Sequence, residues 1–229
     1  MSNLILVRHG QSFWNLQRRF TGWADIDLTE KGKLEAKEAG SLIKNLNIDL
    51  HAFYTSELKR AKNTLNIILE ILDKKNIKII KTNALNERHY GGLTSLNKDE
   101  IIEKYGHEKV QVWRRSFNTP PPPMDPDHPY KSKISSDVLS ESLKDAYDRV
   151  IPFYNKNVEP LLSSKKNVLI VFHGNSCRSL LKKVFNISDE KISDLEIPTG
   201  NPLLIKFGKD LKIKSCKYLN IKRAKKIFF

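Results

Sequence analysis

The chain has 229 residues, enough for a substantial core within one domain. Its 39% hydrophobic and 29% charged residues are ordinary for a globular protein, and no run nears the roughly 18 uninterrupted apolar residues of a spanning helix. The formal net charge of +14 has two readings: attraction of anions, whether nucleic acid or small phosphorylated acids, or lysine-rich composition spread over exposed helix faces. The arginines are fewer than the lysines and sit nearer the motifs, so they carry more of the information. Cys177 and Cys216 do not make a disulfide framework, which fits a reduced, cytoplasmic setting. The first strand is reached by Asn3, so no signal peptide is expected.

Strands and helices are predicted to alternate. A strand over about 3–8 leads into a polar and aromatic loop, Gln11 to Asp27. A helix opens at Thr29-Glu30 with Leu34, Ala39, Leu42, Ile43 and Leu46 at buried-face spacing. Ala52 to Thr55 reads as a short strand, and Ser56 as the cap of a helix carrying Leu58, Ala61, Leu65, Ile68, Leu69 and Leu72. Lys78 to Thr82 is a weaker strand. Residues 83–138 break the alternation with two short helices (about 97–105 and 107–116) and a proline run, Pro120 to Pro123, that reads as a stiff connector. A long helix over about 140–161, kinked at Pro152, returns the chain to a strand over Val168 to Phe172. A helix over 176–185 and two strands (202–207 and 211–218) follow. The expected fold is a three-layer α/β sandwich with a mostly parallel central sheet. The whole chain, 1–229, reads as one domain, with the 83–138 insertion over the strand C-terminal ends.

Two of these strands end in histidine. Leu4-Ile5-Leu6-Val7 runs into Arg8-His9-Gly10, and Val168 to Phe172 runs into His173-Gly174-Asn175. Ligands bind outside the carboxyl ends of strands in open α/β sheets, so the two imidazoles can meet at one site. A neutral imidazole is a competent nucleophile toward phosphorus. Arg8 disfavours the protonated ring of His9, and a backbone carbonyl on one ring nitrogen would aim the other. Gly174-Asn175-Ser176 opens a helix whose first amides suit an anion. The pair therefore suits a transferring phosphoryl group, which needs donors and positive charge around its oxygens. No Walker loop, paired cysteines or His-x3-His with a partner carboxylate occurs, so catalysis without a metal is expected.

Further blocks sharpen this. After Leu6-Val7-Arg8-His9-Gly10-Gln11-Ser12 come Asn15, Arg19-Phe20-Thr21-Gly22-Trp23, Thr55-Ser56, Leu58-Lys59-Arg60-Ala61 and Leu85-Asn86-Glu87-Arg88-His89-Tyr90-Gly91. Trp113-Arg114-Arg115, His173-Gly174-Asn175-Ser176 and Ile197-Pro198-Thr199-Gly200 complete the series. The first block resembles the histidine phosphatase superfamily, and the set resembles the cofactor-dependent phosphoglycerate mutases over nearly the whole chain. The resemblance implies that His9 is the phosphorylated nucleophile and Glu87 the proton shuttle for the substrate hydroxyl. It implies that His173 stabilises the phosphoryl group in transit, with Arg8, Arg60 and Asn15 on its oxygens. Thr21, Gly22, Tyr90, Lys98, Arg114 and Arg115, with Gly174 and Asn175, resemble the substrate-binding set. The implied reaction interconverts 2-phosphoglycerate and 3-phosphoglycerate, primed by 2,3-bisphosphoglycerate and without a metal. The implied partners are small phosphorylated three-carbon acids, not nucleic acid or membrane, and a homodimer is compatible with it.

Each residue also has a plainer reading. Glu87 could pair with Arg88, and Arg114-Arg115 could be a solvated face, because adjacent helical residues diverge by about 100°. His51, His107 and His128 read as surface or loop residues, His89 as structural, and the cysteines as ordinary small residues. A nucleic-acid binder would need a basic stripe with exposed aromatics, whereas Phe13, Trp14 and Trp23 cluster by the first motif. The chain departs from the family in three places. Gln11 stands where many members carry glutamate, with little expected effect. The insertion after Pro120 is short. The tail from Asn220 to Phe229 is short and basic, where the family's tail covers the site, so phosphatase side activity is an open alternative.

Overall fold

Strand β1 (Ser2–Arg8) sends alternate side chains to opposite faces, as extended backbone must: Leu4 and Leu6 enter one apolar cluster, Ile5 and Val7 another. These are facts of a computed structural model that describes residues 1–134 and 136–227. The loop after β1 contains one turn of helix, α1 (Phe13–Leu16), closed by a reciprocal cap between Ser12 and Asn15. A single turn is too short for apolar periodicity to reveal, which is why the sequence reads as loop there. Helix α2 (Glu30–Lys44) starts where the Thr29 hydroxyl accepts from the Gly32 N–H. Then come β2 (Ala52–Thr55), α3 (Lys59–Ile71) and β3 (Ile79–Lys81).

Residues 83–138 add no strand to the sheet among the described residues. They hold two short helices, α4 (Lys98–Tyr105) and α5 (His107–Arg115), which pack a small cluster of Leu93, Ile101 and Val110 on Phe20. Ser135 lies outside the described residues. The chain returns through α6 (Leu143–Asn157) and α7 (Glu159–Ser163) to β4 (Val168–Phe172), then α8 (Gly174–Phe185), β5 (Leu203–Phe207) and β6 (Ile213–Tyr218).

The six strands lie in the order β3-β2-β4-β1-β5-β6. The β3-β2, β2-β4 and β4-β1 pairings are parallel; β5 runs antiparallel to both its neighbours. Helices α6 and α8 cover one face and α2 and α3 the other. This is the expected three-layer, mostly parallel α/β sandwich. Strand β4 sits in the middle of it and is buried at every position, so its sequence is a continuous apolar run rather than an alternation.

Three local expectations need correction. Ser56 does not cap α3; the cap position is Leu58, with no side-chain hydrogen bond, and the Ser56 hydroxyl turns elsewhere. The long helix does not run unbroken to 161: it passes through Pro152, as expected, on the exposed face of α6, where water can take the carbonyl the ring leaves unpaired. The break falls instead at Val158 (φ −106°, ψ −50°), just before Pro160 enters the first turn of α7, where no N–H is needed. Helix α8 begins at Gly174 rather than Ser176, because the Ser176 hydroxyl reaches back to the His173 N–H at 3.1 Å.

Candidate active site

Strand register brings the two histidines together. Arg8 lies opposite Phe172 and Thr55 opposite Val171, so His9, His173 and Ser56 leave neighbouring strands at one edge. The His9 N–H donates to the Phe172 carbonyl at 2.9 Å, and its Nδ1 lies 2.7 Å from the Gly10 carbonyl. A carbonyl can only accept, so Nδ1 carries the proton and Nε2 keeps its lone pair. Gly10 permits this turn: a Cβ there would lie 2.2 Å from the Gly32 carbonyl oxygen. His9 is buried and titrates well below the ordinary imidazole range, first through burial and then through Arg60 and Arg8. It is therefore neutral, as a nucleophile requires.

His173 packs behind it, with ring centroids 5.0 Å apart, and does not itself line the cleft. Its Nε2 is 2.7 Å from the Ser56 hydroxyl, which also accepts the Leu58 N–H at 3.2 Å. Burial, followed by Arg60 and His9, holds the His173 ring well below the usual range too.

Glu87 sits at the start of α8, where Oε1 accepts the backbone N–H groups of Asn175 at 3.1 Å and Arg88 at 2.8 Å. A carboxylate is favoured at a helix N-terminus. Glu87 does not pair with the Arg88 guanidinium, which donates to the carbonyls of Trp113 and Arg114 and lies over the Tyr90 ring. Its own carbonyl is gripped by the Trp23 indole and by Arg149, which is in turn paired with Glu141 at 2.7 Å. Arg149 lies 62 residues further along, on α6, and no local pattern marks it as a support of this loop.

These groups face a cleft of about 150 Å³. Arg8, Arg19, Arg60, Arg114, Arg115, Arg178 and Lys98 line it, against one carboxylate, Glu87. His9, Asn15, Thr21, Gly22, Tyr90, Gly174 and Asn175 complete the expected set, so of the residues anticipated from sequence only His173 stands back from the surface. Arg60, in the first turn of α3, is fully buried and anchored on the carbonyls of Ala24 (2.9 Å) and Gly22 (2.7 Å); burial above all brings it down to about 10. Arg114 and Arg115 both reach the cleft because they form the last residues of α5, along its rim. Burial also lowers Lys98 to about 8, despite the raising influence of Tyr90, with Arg114 and Arg8 adding to the fall. Burial alone would raise the Tyr90 phenol, but Arg88 and Lys98 outweigh it and bring it to about 8.

Sequence reasoning missed Arg19, Phe20 and Arg178 as lining residues. Arg178 follows Gly174 and Asn175 at i+4 and i+3 on α8, so helical spacing could have found it. It donates to Asn175 Oδ1 at 3.0 Å and the Leu195 carbonyl at 2.7 Å, and burial followed by Arg115 lowers it to about 9. Gln11 points away from the cleft, its Oε1 accepting the Thr29 hydroxyl at 3.0 Å. No described tail residue lines the cleft. Arg223 grips Glu35, and Lys225 pairs with Glu196 at 3.1 Å. Phe228 and Phe229 lie outside the described residues.

Comparison with known proteins gives the family of the chain. The family model of the histidine phosphatase superfamily (branch 1) matches residues 4–213. The chain is 50% identical over 234 residues to a 2,3-bisphosphoglycerate-dependent phosphoglycerate mutase of Pelagibacter ubique (strain HTCC1062), covering 98% of each chain. It is 48% identical over 225 residues to the enzyme of the same name from Treponema denticola, covering 94% of this chain and 91% of that one. Among solved structures, a mycobacterial glucosyl-3-phosphoglycerate phosphatase superposes with a TM-score of 0.72 at 20% identity, over 89% of this chain and 92% of that one, a likeness of fold alone. The chain belongs to the histidine phosphatase superfamily and, within it, to the family of 2,3-bisphosphoglycerate-dependent phosphoglycerate mutases.

Proposed function

We infer that this chain interconverts 2-phosphoglycerate and 3-phosphoglycerate through a phosphorylated His9. The observation that carries the reading is the His9 ring itself: buried, neutral, with Nδ1 committed to Gly10 and Nε2 free, in a cleft whose cations outnumber its single acid. When bound, 2,3-bisphosphoglycerate supplies the first phosphoryl group. Anion chemistry fits the residues present, since the buried Nε of Arg8 has no partner among the described residues.

In the forward half-reaction the substrate hydroxyl attacks the phosphorus on His9. The N–P bond breaks, an O–P bond forms, and Glu87 takes the hydroxyl proton. In the second half-reaction the other substrate oxygen leaves phosphorus, Nε2 attacks, and Glu87 returns the proton to the departing oxygen. Arg8, Arg60 and Asn15 hold the oxygens of the moving group, and His173, fixed by Ser56, backs the nucleophile. Arg114, Arg115, Lys98, Tyr90, Thr21 and Gly22 hold the carboxylate and the resting phosphate. Arginine forks suit both groups better than lysine would. Each of these steps uses side chains only.

One observation favours a second activity on the same residues. In the tail, Arg223 and Lys225 are engaged by Glu35 and Glu196, and slow hydrolysis of phospho-His9 to free phosphate is proposed to accompany the mutase reaction. The test is 3-phosphoglycerate turnover in a chelator, with and without trace 2,3-bisphosphoglycerate, following 2-phosphoglycerate and free phosphate. Bisphosphate-stimulated formation of 2-phosphoglycerate is the expected result; free phosphate as main product overturns it in favour of a phosphatase. The partners are small phosphorylated three-carbon acids rather than nucleic acid or membrane. No described helix is long and apolar enough to cross a membrane. Free Cys177 and Cys216 are compatible with a reduced cytoplasm, and edge strands β3 and β6 with a homodimer. Residues 83–138 act as the substrate-holding side of one catalytic unit.

A further inference from the structure

The peptide that orients His9 is itself held from behind. The Gly10 carbonyl accepts from His9 Nδ1, and the N–H of that same peptide, belonging to Gln11, donates to Glu35 Oε2 at 2.8 Å. Glu35 lies on α2 and is largely buried. Its other oxygen, Oε1, accepts from Arg223 Nη2 at 3.1 Å, and Arg223 also donates to the Thr199 carbonyl. Thr199 bridges to Arg8, whose carbonyl accepts the Gly200 N–H at 2.8 Å. Both residues flanking His9-Gly10 are thus secured through groups that Arg223 grips. The fit is close, since a Cβ on Gly200, at φ +57°, would fall 2.5 Å from the Glu35 Cβ. Asn220 fixes the turn that presents Arg223, accepting its N–H at 3.2 Å and donating to Glu38 at 2.6 Å.

We propose that Glu35 is a positioning residue for the His9 nucleophile, acting through the Gly10–Gln11 peptide, and that Arg223 of the tail holds Glu35 in place. A carboxylate on the N–H side polarises the peptide, making the Gly10 oxygen a stronger acceptor for Nδ1–H. That bond decides which ring nitrogen is free to attack. The tail, none of whose described residues lines the cleft, therefore reaches the nucleophile through a chain of four groups: guanidinium, carboxylate, peptide, imidazole. The inference rests on the reading of His9 as the phosphorylated residue.

The test compares Glu35→Ala, Glu35→Gln, Arg223→Ala and Lys225→Ala in the full chain. Ring nitrogen shifts of His9 are read by nuclear magnetic resonance, alongside kcat and KM for 3-phosphoglycerate and the yield of phosphohistidine from 2,3-bisphosphoglycerate. Glu35→Ala is expected to mix the two His9 tautomers and to lower kcat about tenfold with KM little changed. Glu35→Gln, which keeps an oxygen for the Gln11 N–H, recovers most of the loss. Arg223→Ala shifts the same signals less, and its effect does not add to that of Glu35→Ala. Lys225→Ala, which breaks only an exposed pair, changes neither. Unchanged His9 signals and kcat in Glu35→Ala overturn the proposal, as does a loss of kcat that merely follows the unfolded fraction. Absence of phosphohistidine in the unmodified protein would overturn the functional reading instead, while the ring signals would still judge the brace.

Discussion

The two walls of the cleft are built differently. One is made at strand ends: Arg8 closes β1 and His9 follows it, backed by Ser56 after β2 and His173 after β4, all set by the register of three parallel strands and packed to near-zero exposure at the two imidazoles. The other comes from the 83–138 segment, where Tyr90, Lys98, Arg114 and Arg115 are placed by short helices on a small cluster around Phe20 and Ile101. The first wall is fixed by the main core and cannot shift without moving the sheet. The second rests on a few apolar contacts, and its cations are only partly buried. On the proposed roles, chemistry that demands fixed geometry sits on the rigid wall, and recognition that tolerates small adjustments sits on the lighter one.

If that division is right, changes on the strand wall should act on kcat and changes on the other on KM. The largest effect is expected from His9→Ala, which removes the nucleophile and should lower turnover by at least about 10⁴-fold with the fold intact by circular dichroism. Substantial residual mutase activity would sink the assignment. Glu87 begins the lighter wall yet anchors on α8, so it tests the border. Glu87→Gln should lower kcat by about 10² to 10³-fold with a smaller change in KM; an effect on KM alone would make Glu87 a binding residue. Arg115→Lys, replacing a fork by a point charge, should raise KM about tenfold and leave kcat within a few-fold. A matched fall in kcat would erase the distinction between the walls.

The smallest effect is that of pH. Lys98 and Tyr90 both titrate near 8. Raising the pH through that value removes a positive charge and adds a negative one, so anion binding weakens and KM rises several-fold on the alkaline side. Lys98→Arg, which stays charged, should flatten part of that rise. On the acid side His9 resists protonation until well below the usual imidazole range, so kcat should hold where an ordinary histidine would already be charged.

The strand wall was the more legible of the two. An apolar run that stops at Arg8-His9-Gly10 announces both the strand and its end, and a second run stopping at His173 announces its neighbour. The same logic failed for α1, a single turn, and for the end of α6, since no apolar pattern marks the break at Val158. Residues 83–138 carry little periodicity, so their contribution is read from motif blocks and resemblance rather than from pattern; Arg114 and Arg115 from a block, and Lys98 from the resemblance, all line the cleft. The supports were not legible at all. Arg149 holding Glu87, Ser56 holding His173 and Arg223 holding Glu35 join residues far apart in the chain, and only the folded backbone sets those distances.

The crowd of guanidiniums has a consequence beyond catalysis. Arg60 at about 10, Arg178 at about 9 and a lowered Arg115 are groups whose charge the folded cleft resists, chiefly because burial strips their water. Unfolding rehydrates these groups, and a phosphorylated acid neutralises their charge in place. The metabolite is thus also a folding ligand: at a hundred times its Kd it adds about 2.7 kcal/mol to stability, or roughly 5–10 °C in Tm for a chain of this size. Protein starved of substrate would sit nearer its unfolding threshold and be cleared sooner, so flux through the reaction would help set how much of the enzyme persists.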